Sequence, residues 1–165
     1  MITSIGWLNR LTGSMLANQG NSFKSYVGTD PNPMIAKKAQ ELYLSLLKYN
    51  EKFHATFLTS PIEDLAVEEI LACNNNEYFD LAITSPPFEP GLMVEKYAYL
   101  DSTEIKDKQS WVRYTTIDDY TRNFMVALLI KNIAILRAGG IFDLMSNDTN
   151  YLNRFLYLYC VLHCI

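Results

Sequence analysis

Short apolar runs of strand length alternate along this chain with longer stretches of helical period, and few folds other than stacked βαβ units around a mainly parallel sheet satisfy that alternation. Strands are expected at residues 2–5, 26–29, 55–58, 79–84 and 141–145. Helices are expected at 10–18, from Pro33 to about 49–50, at 63–72, and from Thr116 to the Arg137-Ala-Gly-Gly stop. In the first of these, Leu11, Met15 and Leu16 should turn inward. The second has the best credentials, with Asn32 as N-cap, Pro33 at the first helical position, and Ile35, Ala39, Leu42 and Leu46 at helical spacing. The third carries acids in its first turn, and Thr116 with Asp119 resembles a capping box at the start of the fourth.

Composition narrows the class further. With 165 residues, 49% hydrophobic and 19% charged, the chain fits one globular domain spanning 1–165 and excludes disorder or low-complexity repeats. Its longest apolar runs, 124–130 and 155–165, fall short of the ~18 to 20 residues of a membrane span. The start, Met1 to Trp7, lacks the basic flank and apolar core of a signal peptide, so a cytoplasmic protein with no membrane partner is expected. Fourteen Lys and Arg against eighteen Asp and Glu give a net charge of -4, so binding of nucleic acid by the chain alone should be weak. Cys73, Cys160 and Cys164 form no disulfide framework and, with His54 and His163, no zinc-ligand spacing; no metal is expected. His54 reads as a surface or strand-edge residue, and Lys37 and Lys38 as a solvated helix face.

The most informative segment is Phe79-Asp-Leu-Ala-Ile-Thr-Ser-Pro-Pro-Phe88, a strand that runs into two prolines. Proline lacks an N–H, so Pro86 and Pro87 end the ladder, and Ser85, preceding a proline, is held extended. The C-terminal ends of strands are where open α/β sheets bind ligands. Such a corner can offer the Ser85 hydroxyl and a proline carbonyl as convergent acceptors, with Phe88 as a flat wall. That suits alkylation of an amino group on a planar ring, because two acceptors gripping its N–H bonds favour a more tetrahedral nitrogen. After Pro90 a polar stretch rich in Tyr and charge extends to about Thr116, long enough to be functional. Its Tyr97, Tyr99, Trp111 and Tyr114 either stack on unpaired bases or pin the loop down.

Thr84-Ser-Pro-Pro-Phe88 resembles the catalytic motif of the DNA amino-methyltransferases, which move a methyl group from S-adenosylmethionine to cytosine N4 or adenine N6; the Ser form is more typical of the cytosine members. Tyr26-Val-Gly-Thr-Asp-Pro-Asn32 is similar to that family's second-strand segment, in which Asp30, followed by Pro31, corresponds to the acid that bonds the cofactor ribose. The segment Ser60-Pro-Ile-Glu-Asp64 resembles the region that reaches the adenine ring, which makes Glu63 and Asp64 candidates. The segments Glu95-Lys-Tyr97, 114–124 and Leu136-Arg-Ala-Gly-Gly-Ile-Phe142 are similar to the family's later loop, helix and turn into the fifth strand. Ile5-Gly-Trp-Leu-Asn-Arg-Leu resembles a Gly-Trp-Gly-Gly-Arg-Leu cofactor loop, keeping Gly6 and Trp7 but with Leu8 and Asn9 at the inner glycine positions.

The resemblance implies a three-layer Rossmann-like methyltransferase fold, apparently incomplete at its C-terminal strands, without a separate target-recognition domain. It implies a cofactor, S-adenosylmethionine, and a partner, DNA, whose target base is flipped out against Ser85, Pro86, Pro87 and Phe88. The altered glycine loop and the missing strands leave open a catalytically inactive homologue that serves as a binding or scaffolding subunit, as a homo-oligomer or with a partner subunit. Amine methylation of RNA or protein is a further alternative.

Overall fold

Side chains that alternate faces along the strands give the chain two apolar surfaces to cover, and helices cover both. The computed structural model of the chain describes residues 1, 5, 8–17, 24–86 and 107–145. Its elements in chain order are α1 (Asn9–Ala17), β1 (Ser25–Thr29), α2 (Pro33–Leu46), β2 (His54–Leu58), α3 (Val67–Ala72), β3 (Phe79–Thr84), α4 (Ser110–Arg113), α5 (Ile117–Asp119), α6 (Val126–Ala134) and β4 (Leu136–Leu144). A single turn of 3-10 helix follows α2 at Leu47–Tyr49, another occupies Ile62–Asp64, and a π-helical segment, Tyr120–Met125, joins α5 to α6.

Two parallel ribbons carry the architecture. β1 pairs with β2 from Ser25↔His54 to Thr29↔Leu58, and β3 pairs with β4 from Phe79↔Leu136 to Thr84↔Leu144. The start of the chain touches both: the Met1 nitrogen donates to Leu81 O at 2.6 Å, and the Ile5 N–H donates to Thr29 O at 3.2 Å. Tyr26 packs with Ile5, Leu11, Met15, Ala39 and Phe53, under α1 and α2. Its neighbour Val27 points to the opposite face and joins Ile62, Ile70, Phe79, Phe124 and Leu128, under α3 and α6. The chain is therefore α/β, with helices on both sides of short parallel strands.

The expected elements recur with instructive differences. Asn32 caps α2 by accepting the Met34 N–H at 2.9 Å, with Pro33 at the first position. In α1, Leu11 and Met15 are buried as expected but Leu16 is 60% exposed, because it follows Met15 by one residue and turns some 100° away. The single helix expected over 63–72 is broken: Leu65 and Ala66 are extended, with ψ of 138° and 151°. Thr116 Oγ1 accepts the Asp119 N–H at 3.1 Å, half of a capping box, while Asp119 Oδ1 accepts from Asn123 instead. The last strand starts five residues before the expected 141, and residues 137–140 bulge out between its first pair and Leu81↔Ile141. Gly139 supplies the positive φ of 75°, and a Cβ on Gly140 would meet Arg137 O at 3.0 Å and Phe79 O at 3.2 Å. Expectations for residues 2–4, 18, 87–106 and 146–165 lie outside the described residues. No described helix is long and apolar enough to cross a membrane.

Candidate functional site

Because paired strands run parallel in both ribbons, β1 and β2 end together, as do β3 and β4. Beyond β1 come Asp30 and Pro31. Beyond β2 comes the 62–64 turn bearing Glu63 and Asp64, and beyond β3 come Ser85 and Pro86. Four of the ten expected site residues, Asp30, Pro31, Ser85 and Pro86, thus follow directly on strand ends, Glu63 and Asp64 lie in the turn after β2, and Gly6, Trp7, Pro87 and Phe88 lie outside the described residues.

Each position has a local cause. Asp30 is seated by its own backbone N–H, which donates to Leu58 O at 3.1 Å, and its Oδ1 accepts the Asn32 N–H at 2.9 Å in a turn that leads into α2. Ser85 and Pro86 are half-buried, immediately past the last ladder bond, in which the Met145 N–H donates to Thr84 O at 2.9 Å. The Thr84 hydroxyl itself is buried without a hydrogen-bond partner, as is that of Thr29 at the end of β1.

Glu63 and Asp64 are engaged more closely than their sequence context suggests. Arg113 clasps both Asp64 oxygens, Nη1 to Oδ2 and Nη2 to Oδ1 at 2.9 Å each, and also reaches Glu63 Oε1 at 3.2 Å. The Tyr114 hydroxyl donates to the same Glu63 oxygen at 3.2 Å. Glu63 Oε2 is buried and has no hydrogen-bond partner. Burial accordingly pushes the Glu63 carboxyl above its ordinary range, against the opposing pull of a backbone hydrogen bond and Arg113. Burial, then the Glu63 charge, pushes the Tyr114 hydroxyl up to about 12. The Lys131 ammonium on α6 donates to the carbonyls of Ile62, Glu63 and Leu65, in and just past the same turn. Burial lowers the Lys131 pKa even though Asp64 and Glu63 lie near.

Sequence reasoning missed Arg113 and Lys131 as partners of this turn. The available signal was charge complementarity between an acidic pair and a lone Arg fifty residues on, which no spacing rule connects. Of the two roles open to Tyr114, the structure agrees with pinning: it is 9% exposed and packs edge-on to Tyr120 at 6.4 Å and tilted against Phe124 at 6.0 Å. Leu8, at a position where the resembled loop carries glycine, holds a φ of 67°, in the left-handed region that side chains avoid. His54 is exposed at the first residue of β2, and Lys37 and Lys38 are exposed on α2, as expected. Compared with protein-family models, curated proteins and solved structures, the chain matches none.

Proposed function

We propose that this chain is an S-adenosylmethionine-dependent methyltransferase of Rossmann-like fold that modifies an exocyclic amino group of a DNA base, cytosine N4 in preference to adenine N6. The observation that carries this reading is the Ser85-Pro86 corner directly past the end of a parallel strand, with the acid Asp30 directly past the end of another. Helices on both faces, and a chain start bonded to β1 on one side and β3 on the other, suit the reading as well. So does a left-handed backbone at Leu8, where the resembled loop has glycine.

The residues present fit the cofactor's donors. Glu63 has a buried, unpartnered carboxylate oxygen, and Asp30 stands half-buried at a strand end, an acceptor set for the amine and hydroxyls of a nucleoside. S-adenosylmethionine would supply the methyl group. The Ser85 hydroxyl and the Pro86 carbonyl accept the N–H bonds of the target amine and orient its lone pair, so the chain contributes positioning more than acid–base chemistry. The test is transfer of labelled methyl from S-adenosylmethionine to DNA. Ser85→Ala should lower turnover by about a hundredfold, the order of loss when one positioned hydrogen-bonding group is removed. Unchanged turnover in a folded variant removes Ser85 from the mechanism.

A binding or scaffolding role is the second reading, favoured by exposed apolar side chains on β4 and just past its end, where Ile141 is 63% and Met145 45% exposed. Self-association in sedimentation without methyl transfer would favour it.

A further inference from the structure

Asp64 is a ligand acceptor already in use. Both its oxygens are held by the forked guanidinium of Arg113, a geometry a single ammonium cannot reproduce. The two arms of the clasp differ in freedom. Tyr114 is wedged among aromatic side chains and cannot leave without opening the core. Arg113 keeps 30% of its side chain exposed, and while it holds Asp64 its guanidinium carbon already lies 5.9 Å from the centroid of the Tyr114 ring, a contact that does not depend on the carboxylate.

We propose that Arg113 is a gate on the 62–64 turn, a self-ligand that a nucleoside must displace from Asp64, with Tyr114 as its fixed hinge. The proposal rests on the methyltransferase reading, which assigns Asp64 and Glu63 to the adenine end of the cofactor. The amine N–H groups of adenine and the N–H groups of Arg113 are donors of the same kind and compete for the same oxygens. Since Asp64 is 45% exposed, the ion pair is weakened by water and salt, and the gate tunes affinity without blocking entry. Release of Arg113 also frees Glu63 Oε1 from one of its two donors, so both acids become more available in a single movement.

The test is equilibrium binding of S-adenosylmethionine and of uncharged adenosine to the wild type, Arg113→Gln and Arg113→Lys, each first shown by circular dichroism to be folded. Arg113→Gln should bind both probes about fivefold tighter, with Arg113→Lys between it and the wild type. Adenosine binding to the wild type should tighten as salt rises, since salt screens the competing pair and not the neutral probe. Wild-type binding with no gain in Arg113→Gln overturns the gate and leaves the cofactor reading standing. Failure of every folded variant to bind either probe overturns the cofactor reading and the gate with it. If Arg113→Gln does not fold, Arg113→Lys and the wild-type salt series decide, and adenosine affinity that is flat or falling with salt overturns the gate.

Discussion

Glu63, in the 62–64 turn, carries a pH dependence. Its folded-state pKa is raised from an ordinary value of 4.5, chiefly by burial, so the stability it contributes is fully in place below that value and is lost as pH rises through the raised one. Glu63→Gln cannot ionise and should gain on the wild type over the pH range that begins at the ordinary carboxyl value of 4.5 and runs upward, measured by denaturant unfolding. Two unfolding curves that stay parallel across that window would contradict the assignment. Leu8 poses a question of backbone strain. Leu8→Gly loses side-chain contacts but relieves a left-handed residue worth roughly 1 to 2 kcal/mol, so the net change should stay within about 1 kcal/mol. Leu11→Ala, at a fully buried site one turn on, should lose about 3 kcal/mol. Equal losses in the two variants would mean that Leu8 is not strained. That Leu8 stands where the resembled loop carries glycine was legible in the sequence; its left-handed φ was not, because φ is set by the surrounding chain.

Elements show where local signals suffice and where they do not. Residues 33–46 were readable as a helix because Asn32 and Pro33 define its start through interactions within three residues. The break at Leu65 and Ala66 was not, because its partner is remote: Lys131 collects the carbonyls of Ile62, Glu63 and Leu65, which a continuous helix would have turned inward to its own amides. Lys131→Met keeps the stem and removes the three donors, and should destabilise by about 2 kcal/mol. A loss below roughly 0.5 kcal/mol, within the usual range of surface substitutions, would show that water replaces the ammonium freely. The bulge in β4 was hidden for a similar reason. Two adjacent glycines read as a stop, yet Gly139 and Gly140 serve a strand that must pass close to the Phe79 carbonyl.

For the molecule as a whole, the α/β class was legible because periodicity alternates along the entire chain, and the positions of Asp30, Glu63, Asp64, Ser85 and Pro86 follow once the strands are parallel. What sequence could not supply is the clasp of Arg113 and Tyr114 on the 62–64 turn, a contact across about fifty residues that depends on how the chain returns to the sheet. The proposed function requires a nucleoside cofactor held at these strand ends. Equilibrium binding of S-adenosylmethionine to the purified chain and to Asp30→Ala tests it most directly. Saturable one-site binding by the wild type is expected, with affinity at least tenfold weaker in Asp30→Ala, about 1.4 kcal/mol. A folded wild-type chain that binds no S-adenosylmethionine, or a folded Asp30→Ala that binds it as tightly, would contradict it.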